Sequence, residues 1–381
     1  MRIHEYEAKN LFKQSKIPVP RGNVATSPED ARRVAGQIGL PVTIKAQVLI
    51  GGRGRAGGIK FSKDLGEVEE LTRKVLGMEI KGYEVDSVLV EEKLEVKEEL
   101  YLGVTIDGSL GCPILMTSSE GGVEIEETAR RHPEKVFSRH LKPFGDLRAY
   151  QARELAKKLG FEGKPMLQLA SVIISLYGAF KACDALIAEI NPLVVTKRGD
   201  FVAADAVLEI DDSALFRHPE LAIEPQDRIP DELEREAGKI GVSYVNMDGD
   251  IGLICSGAGL GMATMDMIRE KMRPANFLET GGGMTRQLMA GALRVVLKKP
   301  NLKAVFINIY GGINPIHEGA KGIVDVVRQK GVKIPIVAKA LGNRQEETWE
   351  TLESVGIKVV KETQTMRAVE ELFRTLKEER S

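Results

Sequence analysis

IGLICSGAGLGMATMD, residues 251–266, runs from a short, wholly apolar segment through a glycine-rich turn into residues with helical spacing. The unit recurs downstream. ANFLE (275–279) precedes GGG and MTRQLMAGALRVVLKK, and KAVFINIY (303–310) precedes GG and a helical stretch around GAKGIVDVVRQKG. PIVAKAL (335–341) and GIKVVKE (356–362) each lead into another helical pattern. Short apolar strands separated by helices predict a parallel sheet covered on both faces. Right-handed crossovers then give a doubly wound α/β domain, with its site in the loops at the carboxyl ends of the strands.

Upstream of about residue 225 the rhythm changes, and an α+β part is expected. Helical spacing occurs at 5–14, 28–38, 66–76, 148–160 and 165–182. Between these lie apparent hairpins: VTIKAQVLI with GIKFS, VDSVLVEEKL with EELYLGVTI, and CDALIAEINPLVV with DFVAADAVLEI. AIEPQDRIPDELEREAGKIG (222–241) is charged and carries two prolines, so the boundary falls there and the domains are expected over 1–228 and 240–381.

The chain has 381 residues, which suggests two or three domains. With 54 basic and 55 acidic residues its formal charge is −1, so no global positive field collects nucleic acid or an anionic membrane, and neither is an expected partner. No apolar run reads as a bilayer crossing, and MRIHEYEAKNLFKQ at the start is charged rather than signal-like. Three widely spaced cysteines without CxxC support neither a disulfide scaffold nor a zinc knuckle, so a cytoplasmic location is expected. The 39 glycines are the informative excess, many of them clustered directly after apolar strands, where backbone approaches a ligand closely.

KAQVLIGGRGRAGG (45–58) carries Lys45 and Gln47 on a strand and then three glycines and two arginines before Ala56. Such a loop brings N–H groups and cations onto phosphate oxygens. It matches neither the P-loop nor the GxGxxG pattern, and a solvated basic hairpin is the plain alternative. AEINPLVVTKRGDFVAAD (188–205) is more telling. If Lys197–Arg198–Gly199 is a three-residue hairpin loop with Gly in the left-handed position, Thr196 pairs with Asp200 and Asn191 lies opposite Asp205. Pleating puts Glu189 on the same face. Two carboxylates and an amide oxygen amid apolar neighbours suit Mg²⁺, and polar surface is the alternative.

SGAGLGMATMD (256–266), ETGGGMT (279–285) and NIYGGIN (308–314) open three helices from one sheet edge, where free N–H groups and the positive helix ends favour an anion. Trp349 and the methionines of 262–267 read as packing residues. The five histidines share no metal-ligand spacing, and no hydrolase or metalloprotease motif is present.

With these residues in view, the chain resembles the β subunits of succinyl-CoA synthetases, the succinate–CoA ligases of ADP- or GDP-forming type, along essentially its whole length. The matching strings are HEYEAKNLF, KAQVLIGGRGRAGG, LVEEKLEVKEELYLG, SSEGGVEIEE, LIAEINPLVV, LFRHPE, GAGLGMATMD, PANFLETGGG and INIYGGI, in this order. The resemblance implies an ATP-grasp domain followed by a flavodoxin-like CoA-ligase domain. It implies the reversible conversion of succinate, CoA and ATP to succinyl-CoA, ADP and phosphate, an acid–thiol ligation of the tricarboxylic acid cycle.

It also implies roles. Lys45, Gly52, Arg53 and Gly54 match positions that hold nucleotide phosphates, and Glu91, Leu94 and Glu99 match further nucleotide-contacting positions. Asn191 and Asp205 match Mg²⁺ ligands, and Glu189 matches a glutamate that steadies a phosphohistidine. Ser256, Gly257, Gly259, Gly312, Ile313 and Asn314 fall at the acid and phosphate site, where the helix opening at Gly257 helps to cradle the phosphate. The phosphorylated histidine and the CoA-binding domain belong to a partner α subunit, in an αβ or α₂β₂ assembly. The route implied passes through a phosphohistidine on the partner and an acyl phosphate, from which CoA displaces phosphate.

The chain departs from the family at the acid site. Ser256 stands where an Asn is usual, and Asn314–Pro315–Ile316–His317 replaces the usual residues after GGI. Glu279 stands for an Asp, and Val207 for a Lys. Pro20 resembles adenine-using members, so ATP is expected before GTP. The same mechanism on malate or citrate remains open, as do a self-sufficient ATP-grasp acid–amine ligase and a non-catalytic nucleotide sensor.

Overall fold

The computed structural model describes residues 1–122, 125–143 and 145–378; Val123 and Glu124 of the SSEGGVEIEE string thus lie outside the described residues. The chain forms two compact units, Met1–Arg228 and a second beginning at Ile229.

In the second unit the parallel strands stand in the order Asn276–Glu279, Ile251–Cys255, Ala304–Gly311, Ile336–Gly342, Lys358–Val359. Numbered along the chain, that is 2-1-3-4-5, the flavodoxin-like order, with its switch point between Ile251–Cys255 and Ala304–Gly311. Every residue of Ile251–Cys255 is buried, which explains a continuous apolar run rather than an alternating one. Ile254, Ile307 and Ala338 join Leu293 and Ile323 on one face. Leu253, Phe306 and Val337 join Ile268 and Leu372 on the other. An antiparallel edge strand, Ser243–Asn246, was not read from the sequence; it pairs with Asn276–Glu279. Nor is 229–241 wholly a linker. Glu232–Ile240 is a helix capped by Asp231 and ended by Gly241 at φ 83°, and it buries Ala237 in the second core.

Among the described residues the first unit has, besides the short ribbon Glu79–Ile80 with Tyr83–Glu84, two larger antiparallel sheets. Gly22–Ala25, Val88–Glu92, Val42–Ala46 and Ile59–Ser62 form one in that order, covered by the helices Pro28–Ile38 and Leu65–Val75. Ser27 caps the first of these, accepting from the Asp30 N–H at 3.1 Å, with Pro28 at the first helical position and Gly39 beyond the end at φ 92°. The larger sheet runs Phe201–Ala203, Ala185–Thr196, Val96–Asp107, Cys112–Ser118, Val136–His140, with Val207–Ile210 also against Ala185–Thr196. Glu5–Gln14, Ala149–Lys158 and Gly163–Ala182 back it.

One sequence expectation fails here. Val88–Glu92 and Val96–Asp107 do not form a hairpin; they belong to different sheets. The Lys93–Leu94–Glu95 link contains no Gly, Asn or Pro to reverse the chain, and so it carries the strand across. The helix Gly163–Ala182 has 20 residues and is long and apolar enough to cross a membrane. Its apolar surface is core surface, with Leu169, Ile173, Leu176 and Phe180 buried against the larger sheet.

Candidate active site

In the first unit the hairpin 185–203 has the register its spacing predicts. The Thr196 N–H bonds the Asp200 carbonyl at 2.8 Å, and Gly199 takes φ 87°. Leu193 pairs with Ala203 and Glu189 with Val207. Between these pairs the second chain bends at 204–206, so Asp205 faces Asn191 from a bend rather than from a strand.

Around Asp205 the structure gathers five further charged side chains. Lys45 and Arg53 come from the β-hairpin whose loop is the glycine-rich 47–58 segment, and Glu91 comes from the neighbouring strand. Glu5 and Lys9 come from the first turns of the N-terminal helix. Glu5 Oε1 meets Lys9 Nζ at 2.8 Å and Lys45 Nζ at 3.0 Å, and Glu5 Oε2 meets Arg53 at 2.6 Å. Glu91 holds Lys45 at 2.5 Å and Lys9 at 2.6 Å, while Arg53 reaches Asp205 Oδ1 at 2.8 Å. Three carboxylates thus neutralise three cations, which is what makes their burial tolerable. Burial alone raises the Glu5 carboxyl; Arg53, then Lys45 and Lys9, outweigh it and hold the group well below the usual carboxylate range. Burial lowers the Lys45 ammonium, and Glu5, Glu91 and Asp205 more than reverse that.

The solvated-loop alternative for 51–58 therefore fails for Arg53, which is 8% exposed. Gly52 sits at φ 89° and Gly58 packs against Ala46 and Ile80, so the glycines let the loop fold back over the strand. Gln47 serves structure: its amide donates to the Lys45 and Ala46 carbonyls and accepts from the Tyr6 N–H. Leu94 and Glu99 lie apart from the ionic cluster. Leu94 is half-buried on the link, and Glu99 is exposed on the strand opposite Val194. A cavity of about 340 Å³, lined by Tyr6, Lys9, Pro20, Gly22, Leu89 and Glu91 among others, adjoins the cluster.

Glu189 and Asn191 share a second pocket of polarity. The Tyr101 hydroxyl donates to Glu189 at 3.3 Å, and the Asn191 amide also bonds this carboxylate. Asn191 Oδ1 accepts the Gly122 N–H at 2.7 Å. Burial raises the Glu189 carboxyl above its usual range, the bonds from Asn191 and Tyr101 oppose that, and the nearby Asp205 charge adds to it. Glu189, Asn191 and Asp205 offer hard oxygens only, a set that fits Mg²⁺ rather than a soft metal.

In the second unit Ser256, Gly257, Gly259, Gly312, Ile313 and Asn314 all sit at the carboxyl edge of the sheet. The Ser256 hydroxyl spans the switch point, donating to the Tyr310 carbonyl at 3.1 Å and accepting from its N–H at 2.8 Å. Gly257 takes φ 110° and opens the helix Ala258–Arg269. A Cβ on Gly282 would lie 3.8 Å from the Asn314 amide, so the 281–283 and 312–314 loops face each other across the crevice. Gly342, at φ 128°, approaches Gly311 so closely that a Cβ would meet its carbonyl at 2.2 Å.

Residues 2–195 match the ATP-grasp domain family and 254–372 the CoA-ligase family. The succinate–CoA ligase [GDP-forming] β subunit of Thermus thermophilus is 45% identical over 93% of each chain. The [ADP-forming] β subunits of Chloroflexus aurantiacus and Halorubrum lacusprofundi are 44% and 42% identical, over 91% and 97% of this chain and 92% and 98% of theirs. The chain belongs to the succinate–CoA ligase β-subunit family. ATP citrate lyase from Methanothrix soehngenii, solved with citrate and coenzyme A, shares the fold at TM-score 0.79 and 22% identity over 98% of this chain and 99% of that one.

Within the family frame, the Ser256 departure costs no local order, because the hydroxyl bridges backbone across the switch point. Glu279 accepts the Gly281 N–H at 2.9 Å and Val207 pairs with Glu189, so both replacements are absorbed locally. Four residues of the site escaped the sequence reading: Glu5, Lys9, Tyr101 and Gly122. Gly122 alone carried a signal there, in the EGG cluster; Glu5 looked like one more charge on an amphipathic helix.

Proposed function

We propose that this chain is the nucleotide-binding half of a reversible succinate–CoA ligase that uses ATP and works with an α subunit bearing the phosphohistidine and the CoA-binding domain. The observation that carries the reading is the meeting of Arg53 with Asp205, with Lys45 on the adjoining Ala204 carbonyl and Glu189 nearby, in a chain of this family. Lys45, Arg53 and the backbone of Gly52 and Gly54 bind the phosphates, and Glu91, Leu94 and Glu99 serve the rest of the nucleotide. Pro20, which resembles the residue of adenine-using members, lines the cavity beside the cluster, and the purine is assigned there as adenine. Asn191 and Asp205 hold Mg²⁺, which when bound neutralises phosphoryl oxygens. Glu189 accepts a hydrogen bond from the partner imidazole and orients it. Ser256, Gly257, Gly259, Gly312, Ile313 and Asn314 offer backbone N–H groups to acid and phosphate oxygens. The assembly is αβ or α₂β₂.

The test is phosphoryl transfer. With the α subunit present, γ-labelled ATP should leave an acid-labile label on the partner, and Glu189→Gln should lower its rate by about 100-fold or more. A label on this chain, or none on the partner, contradicts the reading.

A further inference from the structure

The six-charge cluster is not uniform. Glu5 has a side chain 2% exposed and takes three cations, whereas Asp205 is 29% exposed and takes one. Arg53 joins the two ends. One of its terminal nitrogens is held by Glu5 at 2.6 Å and by the Ala46 carbonyl at 3.1 Å, and the other by Asp205 at 2.8 Å. Lys45 and Lys9 have a further fixed partner in the Ala204 carbonyl, at 2.5 and 2.8 Å. Every cation of the cluster thus has an inner anchor, and only Arg53 also leans on the outermost carboxylate.

We propose that Arg53 is a placeholder for the metal. With nucleotide absent it neutralises Asp205 and shares its Oδ1 with the Ala206 N–H, so the carboxylate is engaged before a divalent cation arrives. When phosphate oxygens draw that half of the guanidinium away, Asp205 is released to the metal. Glu5 keeps the other half in place throughout, so Arg53 swings by a short rotation and stays in the site. Metal and nucleotide then bind with positive and reciprocal coupling, because each removes the partner that the other's ligand would lose. The inference rests on the reading that nucleotide phosphates sit at Lys45 and Arg53.

Mn²⁺, read by its electron paramagnetic resonance signal, reports metal binding without turnover. On the full chain, with and without its α subunit, Mn²⁺ should bind at least about tenfold more tightly with ADP than without it. In Arg53→Gln, and in Arg53→Lys where the single ammonium cannot bridge Glu5 and Asp205, Mn²⁺ alone should bind about tenfold more tightly than to the wild type, and the gain from ADP should shrink. Adding Asp205→Asn to Arg53→Lys should erase that tighter binding. Arg53→Lys keeps the charge, so it serves if Arg53→Gln misfolds. Unchanged affinity for Mn²⁺ alone in the variants, with ADP still bound by the wild type, overturns the placeholder role. No binding of ADP by the wild type overturns the nucleotide-site reading first.

Discussion

The two units solve the problem of holding negative charge in opposite ways. The first uses six side chains of opposed sign, locked together by contacts of 2.5–3.0 Å. The second uses no charged residue among its six candidate positions, only glycine junctions, one hydroxyl and one amide at a sheet edge. A site of buried ions is sensitive to the loss of any one partner. A site of backbone N–H groups is sensitive to dihedral angles. Substitutions should therefore sort by unit.

The largest effect is expected from Glu5→Ala, which leaves Lys9, Lys45 and Arg53 facing only Glu91 and Asp205. Breaking a buried ionic set costs about 3–5 kcal/mol, so hydrogen exchange should show the first unit weakened and the second unchanged. A loss in the first unit close to zero would mean that the six charges are solvated in solution. Next comes Gly342→Ala, where both φ and the approach to Gly311 forbid a side chain. Strain of about 1–3 kcal/mol, confined to the second unit, should appear in urea denaturation. By contrast Gly259→Ala, in a helix with open space around it, should stabilise by about 0.5–1 kcal/mol.

Ser256→Ala should cost about 1 kcal/mol, because the Tyr310 N–H and carbonyl lose a partner at an exposed edge. Ser256→Asn, which restores the usual family residue, should shift the kcat/KM ratio among acids while leaving ADP binding unchanged. An unaltered ratio would place acid choice in the partner subunit.

The smallest effect concerns Glu189, and its sign separates it from Glu5. Burial raises the Glu189 carboxyl, so its ionised form is a cost to the folded state at neutral pH, relieved as pH falls through the raised value. Glu189→Gln should thus melt slightly higher than wild type at pH 7, with the gap narrowing toward pH 5. Glu5 behaves oppositely. Its stabilisation is fully present above about pH 4.3, the ordinary Glu value, and is lost as pH falls through its depressed one. A constant gap for Glu189→Gln between pH 7 and 5 would remove burial as the cause of its shift.

Much of the second unit was legible because a strand buried on both faces leaves an unbroken apolar run, and the glycines after 255, 279 and 310 mark where each strand gives way to a helix. The hairpin at 196–200 was legible because its register is arithmetic. The edge strand Ser243–Asn246 was not, since it follows a charged helix and exposes half its residues. The separation of Val88–Glu92 from Val96–Asp107 escaped because alternation specifies a strand and not its partner. At the site, Lys45, Arg53 and Asp205 stood out through glycine context and pairing. Glu5 did not, because its role depends on contacts 40 and 48 residues away that no local pattern encodes.

The central claim, that this chain is half of a nucleotide-driven acid–CoA ligase, is tested most directly by thioester formation. The chain is combined with an α subunit, ATP, Mg²⁺ and CoA, and succinate, malate, citrate and acetate are compared, with the chain alone as control. The account predicts thioester only when the α subunit and CoA are both present, fastest with succinate. ATP turnover by the isolated chain without CoA would contradict it.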